Sequence, residues 1–145
     1  NWLQCKNLTS IAYIGHGVNS AILAGNQPYP ANTLTQNGIK LNNANVWFDA
    51  CWVLKKSTGD FQCNTSDPNA DDACWRTVMS KSNSTPKTFG GGTTPVHFKI
   101  GDEVGVCYMK AINDKNNKLS PEQVFDKCTK PDTLDKFDLI NNGGS

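Results

Sequence analysis

Apolar and polar positions alternate most regularly in the run Val46-Trp47-Phe48-Asp49-Ala50-Cys51-Trp52-Val53-Leu54. A period of two puts Val46, Phe48, Ala50, Trp52 and Leu54 on one face and Trp47, Asp49, Cys51 and Val53 on the other. The first set is wholly apolar and is expected to face a core. The second is half apolar, which predicts a central strand, or one covered by a loop or helix. A shorter alternation predicts a strand at Leu8–Ile14. Gly15-His16-Gly17 then reads as a turn, because glycine accepts left-handed backbone, and Val18–Ala24 as a second strand. Gly25–Pro30 reads as a loop whose prolines rule out a central strand. Thr33–Gln36 and Ile39–Leu41 flank Asn37-Gly38, a type I′ hairpin signal.

Further along, Lys55–Asp60 is expected to turn and Gln62–Asp72 to form an acidic loop. Asp67-Pro68 looks like a cap and first helical position, which predicts a short helix over Pro68–Met79; a strand over Trp75–Met79 competes with it. The polar stretch Ser80–Thr94, with Gly90-Gly91-Gly92 inside, reads as a flexible connector. It lacks the Gly-Lys-Ser/Thr ending of a phosphate loop. Pro95–Ile100 and Glu103–Ile112 read as a hairpin about Gly101-Asp102, with Val96, Phe98, Ile100, Val104, Val106 and Tyr108 inward and His97 off the far face. Asn113–Leu119 is expected as a loop. Ser120-Pro121-Glu122-Gln123 is a capping box opening a short helix to Lys127. In the tail, Leu134, Phe137 and Ile140 form one docking set. These elements predict a single domain over residues 1–145. It is expected to be mainly β, a small disulfide-stabilised sandwich or barrel-like domain with one or two short helices.

Charge narrows the partners. The chain has 145 residues, 14 basic and 13 acidic, for a net charge of +1. Its single arginine is Arg76, and no basic cluster exists, so neither nucleic acid nor an anionic membrane is an expected partner. No apolar run approaches the roughly 18–20 residues of a membrane span. The first 54 residues carry only Lys6, Lys40 and Asp49 as charges, as suits a β-rich body.

The six cysteines are Cys5, Cys51, Cys63, Cys74, Cys107 and Cys128. They are even in number and dispersed, without the close pairs that zinc ribbons and redox motifs need. Three structural disulfides in an oxidising compartment are expected. The simplest pairing joins neighbours: Cys5–Cys51, Cys63–Cys74 and Cys107–Cys128. With Asn1 in place of a methionine, the chain reads as an exported protein after signal-peptide removal, secreted or periplasmic. The sequons at Asn7, Asn64 and Asn83 are as many as chance supplies in so asparagine-rich a chain and do not choose a source. The Asp-Ala-Cys-Trp tetrapeptide at Asp49 and Asp72 is read as coincidence.

No cofactor or metal is expected. Asp67-Pro68-Asn69-Ala70-Asp71 and Asp114-Lys115-Asn116 offer oxygens but lack the glycine and glutamate of an EF-hand. There is no Gly-x-Ser-x-Gly elbow. Four residues remain as candidate ligand contacts. Trp47 shares the less regular strand face with Asp49, and an acid beside a flat ring suits sugar hydroxyls. Tyr29 stands between two prolines. His16 stands between glycines that leave its ring approachable. The expected function is an exported, non-enzymatic module that binds a carbohydrate or protein surface outside the cell, in host interaction or virulence. A small secreted hydrolase using Asp49 or His16, and a structural or inhibitor protein acting through its loops, are the alternatives. A binding platform requires Trp47 or Tyr29 to be exposed. An enzyme requires Asp49 or His16 to share a cleft with another titratable group. No oligomeric state follows from the sequence.

Overall fold

The computed structural model describes residues 8–18, 20–25, 27–31, 41–55, 74–81 and 85–143. In chain order the elements are β1 (Ser10–Ile14), β2 (Gly17–Val18), β3 (Ala21–Ala24), β4 (Gln27–Pro30), β5 (Asn45–Asp49), α1 (Trp75–Lys81), β6 (Thr88–Gly92), α2 (Phe98–Ile112), α3 (Pro121–Cys128) and β7 (Phe137–Asn141). Four strands form one sheet in the order β1-β5-β6-β7, and β2-β3-β4 form a second. β5 is parallel to both β1 and β6, and β7 runs antiparallel to β6. The domain is therefore mixed α/β rather than mainly β, and no closed barrel forms among the described residues.

Parallel strands need long crossovers, and these lay helices on the sheet. β5 is accordingly buried along its whole length. Val46 and Phe48 meet Phe89, Trp75, Val78 and Met79 on one face, where the Phe48 ring packs edge-on to Trp75 at 5.0 Å. Trp47 meets Val104, Tyr108 and Val124 on the other. The half-apolar second face of the expected strand is thus covered by helices. The strand is shorter than its alternation implied. It ends at Asp49, and residues 50–54 turn, with Trp52 at φ 65°. Arg76 ties α1 to this turn and to β7, donating to the Leu54 carbonyl at 2.6 Å and pairing with Asp138 at 2.8 Å.

Two expected elements are corrected. The hairpin about Gly101-Asp102 is the helix α2. Its buried residues Gly101, Val104, Gly105 and Tyr108 follow the i, i+3, i+4, i+7 spacing of one helical face. Phe98 and Val106, expected inward, are 43% and 53% exposed. The Gly90–Gly92 connector is the second half of β6, fully buried between β5 and β7. A Cβ at Gly90 would stand 2.5 Å from the Trp47 ring, and one at Gly91 2.5 Å from Val53. The glycines are there because large side chains from β5 and the following turn cross that strand, not because the segment bends.

Other readings hold with adjusted bounds or are corrected in part. Leu8–Ile14 contains β1. The Val18–Ala24 strand divides into β2 and β3. The loop expected over Gly25–Pro30 is corrected, since Gln27–Pro30 is the strand β4; among the described residues it pairs with β3 alone, as proline permits at an edge. Ser120 caps α3 by the reciprocal bonds of a capping box, with Gln123 N–H on Ser120 Oγ at 3.2 Å and Ser120 N–H on Gln123 Oε1 at 2.9 Å. In the tail set, Phe137 and Ile140 sit on β7, but the docking expected of Leu134 is corrected, for it is 90% exposed. The Asn37-Gly38 hairpin, the Gln62–Asp72 loop and the Asp67-Pro68 cap lie outside the described residues.

Cys107 and Cys128 are bridged and tie α2 to the end of α3. Cys74 is also bridged, its partner lying outside the described residues. Cys51 is a free thiol, so both the expected set of three disulfides and the Cys5–Cys51 pairing are corrected. Its sulfur accepts the Val96 N–H at 3.2 Å.

Candidate functional site

Polar side chains gather where the parallel strands end. In open sheets of this kind the carboxyl ends of the strands are where ligands are bound. Asp49 is the last residue of β5 and is 0% exposed, with neither carboxyl oxygen hydrogen-bonded. The α2 residue Gly101 lies directly over it, so close that any side chain there would collide with the carboxyl group. Burial raises the Asp49 pKa to about 8, helped by the neighbouring carboxyl of Asp102 and by the charge of Asp135. Oδ1 of Asp102 is buried and unpartnered too. Two ionised carboxylates have only acceptors and repel each other, so closing them into one site without a donor favours a proton on one of them.

Beside this pair lies a third acid. Asp135 is 3% exposed and grips His97, the N-cap of α2, at two points. It accepts the His97 backbone N–H at 2.9 Å and stands 3.0 Å from ring Nδ1. The imidazole itself is 79% exposed, which leaves Nε2 reachable from solvent. The neighbouring thiol is not part of this arrangement. Val96 N–H points to Cys51 and the next N–H, of His97, points to Asp135. Backbone therefore separates the sulfur from the acid–histidine pair.

The expected contacts fare differently. Trp47 is 2% exposed, enclosed by Tyr108, Phe125 and Phe137 with ring centroids 5.6–6.4 Å away. It is a core residue and no open platform, because the face assumed to be free carries α2 and α3. Tyr29 lies on β4, half-buried against the main core. His16 is exposed after β1, with its ring 5.9 Å from that of Phe98. Asp49 is brought together with Asp102 and Asp135, but His16 is not among their contacts. Sequence reasoning passed over Asp102, His97 and Asp135. The helical spacing of Gly101, Val104, Gly105 and Tyr108 would have placed Asp102 beside the strand end. No local signal marks Asp135, whose role depends on where β7 lies.

A different kind of opening runs along β1. Among the described residues this strand has a neighbour on one side only. The Thr9 carbonyl accepts from Asn45 N–H and Gly15 N–H donates to the Asp49 carbonyl. In a parallel ladder alternate residues face the partner, so Ser10, Ala12 and Ile14 turn their N–H and C=O groups to the open side. Their side chains are exposed as well, and the exposed stripe continues through His16 and Val18. A groove of about 320 Å³ follows the strand, lined by Leu8 and Ser10–Ile14. Tyr13 stiffens it from behind, its hydroxyl within 2.8 Å of the His16 carbonyl and 2.7 Å of the Leu23 carbonyl.

Among the described residues no cluster of histidine, cysteine and acids is arranged to hold a metal ion, and no helix is long and apolar enough to cross a membrane. Compared with known protein families, with curated proteins and with solved structures, the chain matches none.

Proposed function

We propose that the chain is an exported binding module that takes an extended segment of a partner protein along β1. The observation that carries this reading is the β1 edge, which has no strand partner on its outer side among the described residues. The outward backbone groups of Ser10, Ala12 and Ile14 offer a hydrogen-bonding template, and a groove lies beside it. Sheet edges of soluble proteins are usually blunted by lysine, proline or a bulge. Residues 8–18 contain no charge and no proline. Strand addition uses such an edge, with the main chain giving affinity and alternate side chains specificity. Ile14, 61% exposed, and Val18, 47% exposed, are apolar contacts of the stripe, and His16 between them is a polar one. The carbohydrate half of the expected function lost its anchor when Trp47 proved to be core. The disulfides are compatible with a site of action outside the cell.

Panning a library of random linear peptides on the wild-type protein tests this. Enriched peptides are expected to bind Ala12→Pro about tenfold or more weakly, since proline removes an outward donor that β5 does not use. Circular dichroism establishes that the variant is folded. Failure to enrich any peptide, or equal binding to folded Ala12→Pro, would count against the reading.

Hydrolysis is the second reading, and one observation favours it. A buried Asp135 orients an exposed His97 through Nδ1, the arrangement of a general base. Asp49, the acid first expected to act, is closed off by Gly101 and has no route to a substrate. This reading predicts that any hydrolytic activity found on a panel of esters, amides and glycosides is abolished in His97→Gln; full activity in that variant would reject it.

A further inference from the structure

A second groove, of about 360 Å³, lies between α2 and α3 and shares no lining residue with the groove along β1. Its floor is apolar: Ile100, Val104 and the Cys107–Cys128 bridge. Val104 is 5% exposed, so the floor is part of the packed body rather than a loose surface. The volume falls within the range of small-molecule sites. Lys127 and Lys130 stand at its rim, opposed by the single acid Glu103. Two lysines against one glutamate leave an excess positive charge there. The ion pairs found among the described residues involve Arg76 with Asp138 and His97 with Asp135, so neither lysine is neutralised by a carboxylate.

We infer that this groove binds a free amphipathic anion: a single apolar chain ending in a carboxylate. The chain lies along Ile100, Val104 and the disulfide, where burial of its methylene groups supplies the affinity. The carboxylate sits between Lys127 and Lys130 and gains charge-assisted hydrogen bonds at the rim. Glu103 sets the direction of entry, since an anionic head on its side would meet like charge. The long lysine stems add apolar cover while their heads stay at the surface. A neutral chain of the same length fills the floor equally well but gains nothing at the rim.

Titration calorimetry with decanoate and with decanol tests the inference. Wild-type protein is expected to bind decanoate at one site per chain, and decanol more weakly. The Lys127→Gln/Lys130→Gln variant is expected to lose about tenfold in decanoate affinity and to keep its decanol affinity. Ile100→Glu, which places an acid on the floor, is expected to weaken both. Lys127 and Lys130 are both exposed, and an unchanged thermal midpoint establishes that each variant is folded. Absence of saturable decanoate binding overturns the proposal, as does decanol binding as tightly as decanoate or a lysine variant with unchanged decanoate affinity.

Discussion

Gly101 lies over Asp49 at a distance that leaves no room for a methyl group. In isolation a helix would favour alanine over glycine by about 1 kcal/mol. Here the steric term has the opposite sign and is larger, because the atoms in the way belong to a carboxyl group fixed at the end of a central strand. Gly101→Ala is expected to lower stability by about 1–3 kcal/mol, the range of overpacked cores. Urea denaturation followed by tryptophan fluorescence reads the change, and a midpoint at or above wild type would contradict it.

The same carboxyl group makes stability depend on pH. Its folded pKa is raised to about 8 from an ordinary value of 3.8. Between those values the folded state holds a proton that the unfolded chain releases, so the Asp49 contribution falls as pH rises. It is fully present below about pH 4 and is lost as pH climbs through about 8. Asp49→Asn removes the titrating group and keeps the shape. Thermal midpoints measured from pH 4 to 9 are expected to decline less in the variant, with the largest gain over wild type at the alkaline end. Parallel profiles would show that Asp49 does not titrate in this window.

A buried chain of hydrogen bonds crosses the sheet. The Tyr108 hydroxyl donates to Thr88 Oγ1 at 2.7 Å, and Thr88 Oγ1 donates to Asn45 Oδ1 at 2.7 Å. Tyr108→Phe removes one link and is expected to cost about 1 kcal/mol. Thr88→Val strands the partners on both sides and is expected to cost about 2 kcal/mol or more. Residues in one network do not add, so the double variant is expected to lose less than the sum. A double-mutant cycle in denaturant measures this directly, and simple additivity would argue against a chain.

The Cys107–Cys128 bridge closes a loop of 21 residues in sequence separation. Restricting that loop in the unfolded chain is worth about 3 kcal/mol. Paired replacement by alanine is expected to lower stability by that order in an equilibrium denaturation experiment, while helix content measured by circular dichroism stays near wild type.

How much of this was legible in the sequence depended on whether the signal was local. Strand β5 announced itself because its apolar density has no other use, and Ser120-Pro121-Glu122-Gln123 because a capping box is complete within four residues. α2 was missed because Gly101-Asp102 reads locally as a tight turn and the flanking valines happen to alternate. Its glycines are there so that the helix can sit close to Trp47 and Asp49, a requirement set by a strand some fifty residues earlier. Gly90-Gly91 posed the same problem in reverse, since the side chains that need the space are Trp47 and Val53. The candidate site was legible only as single residues. Asp49 was visible as an isolated acid in an apolar strand, but its neighbours Asp102 and Asp135 come from a helix and from the approach to β7. Trp47 misled because alternation tells which side a ring takes, not whether another layer covers that side.

The parallel order of the main sheet has a consequence for how the chain is made. The register joins Asn45 to Ser10 behind it and to Thr88 ahead of it, and Gly90 to Leu139. Each pairing spans tens of residues, and loop closure of that kind is slow. During synthesis the fully buried strand β5 therefore emerges long before the strand that covers its second edge. The α2 and α3 faces that enclose Trp47 come later still. The nascent chain must carry an uncovered tryptophan-bearing strand through most of its own elongation, and folding can be completed only once residues near Leu139 have left the ribosome.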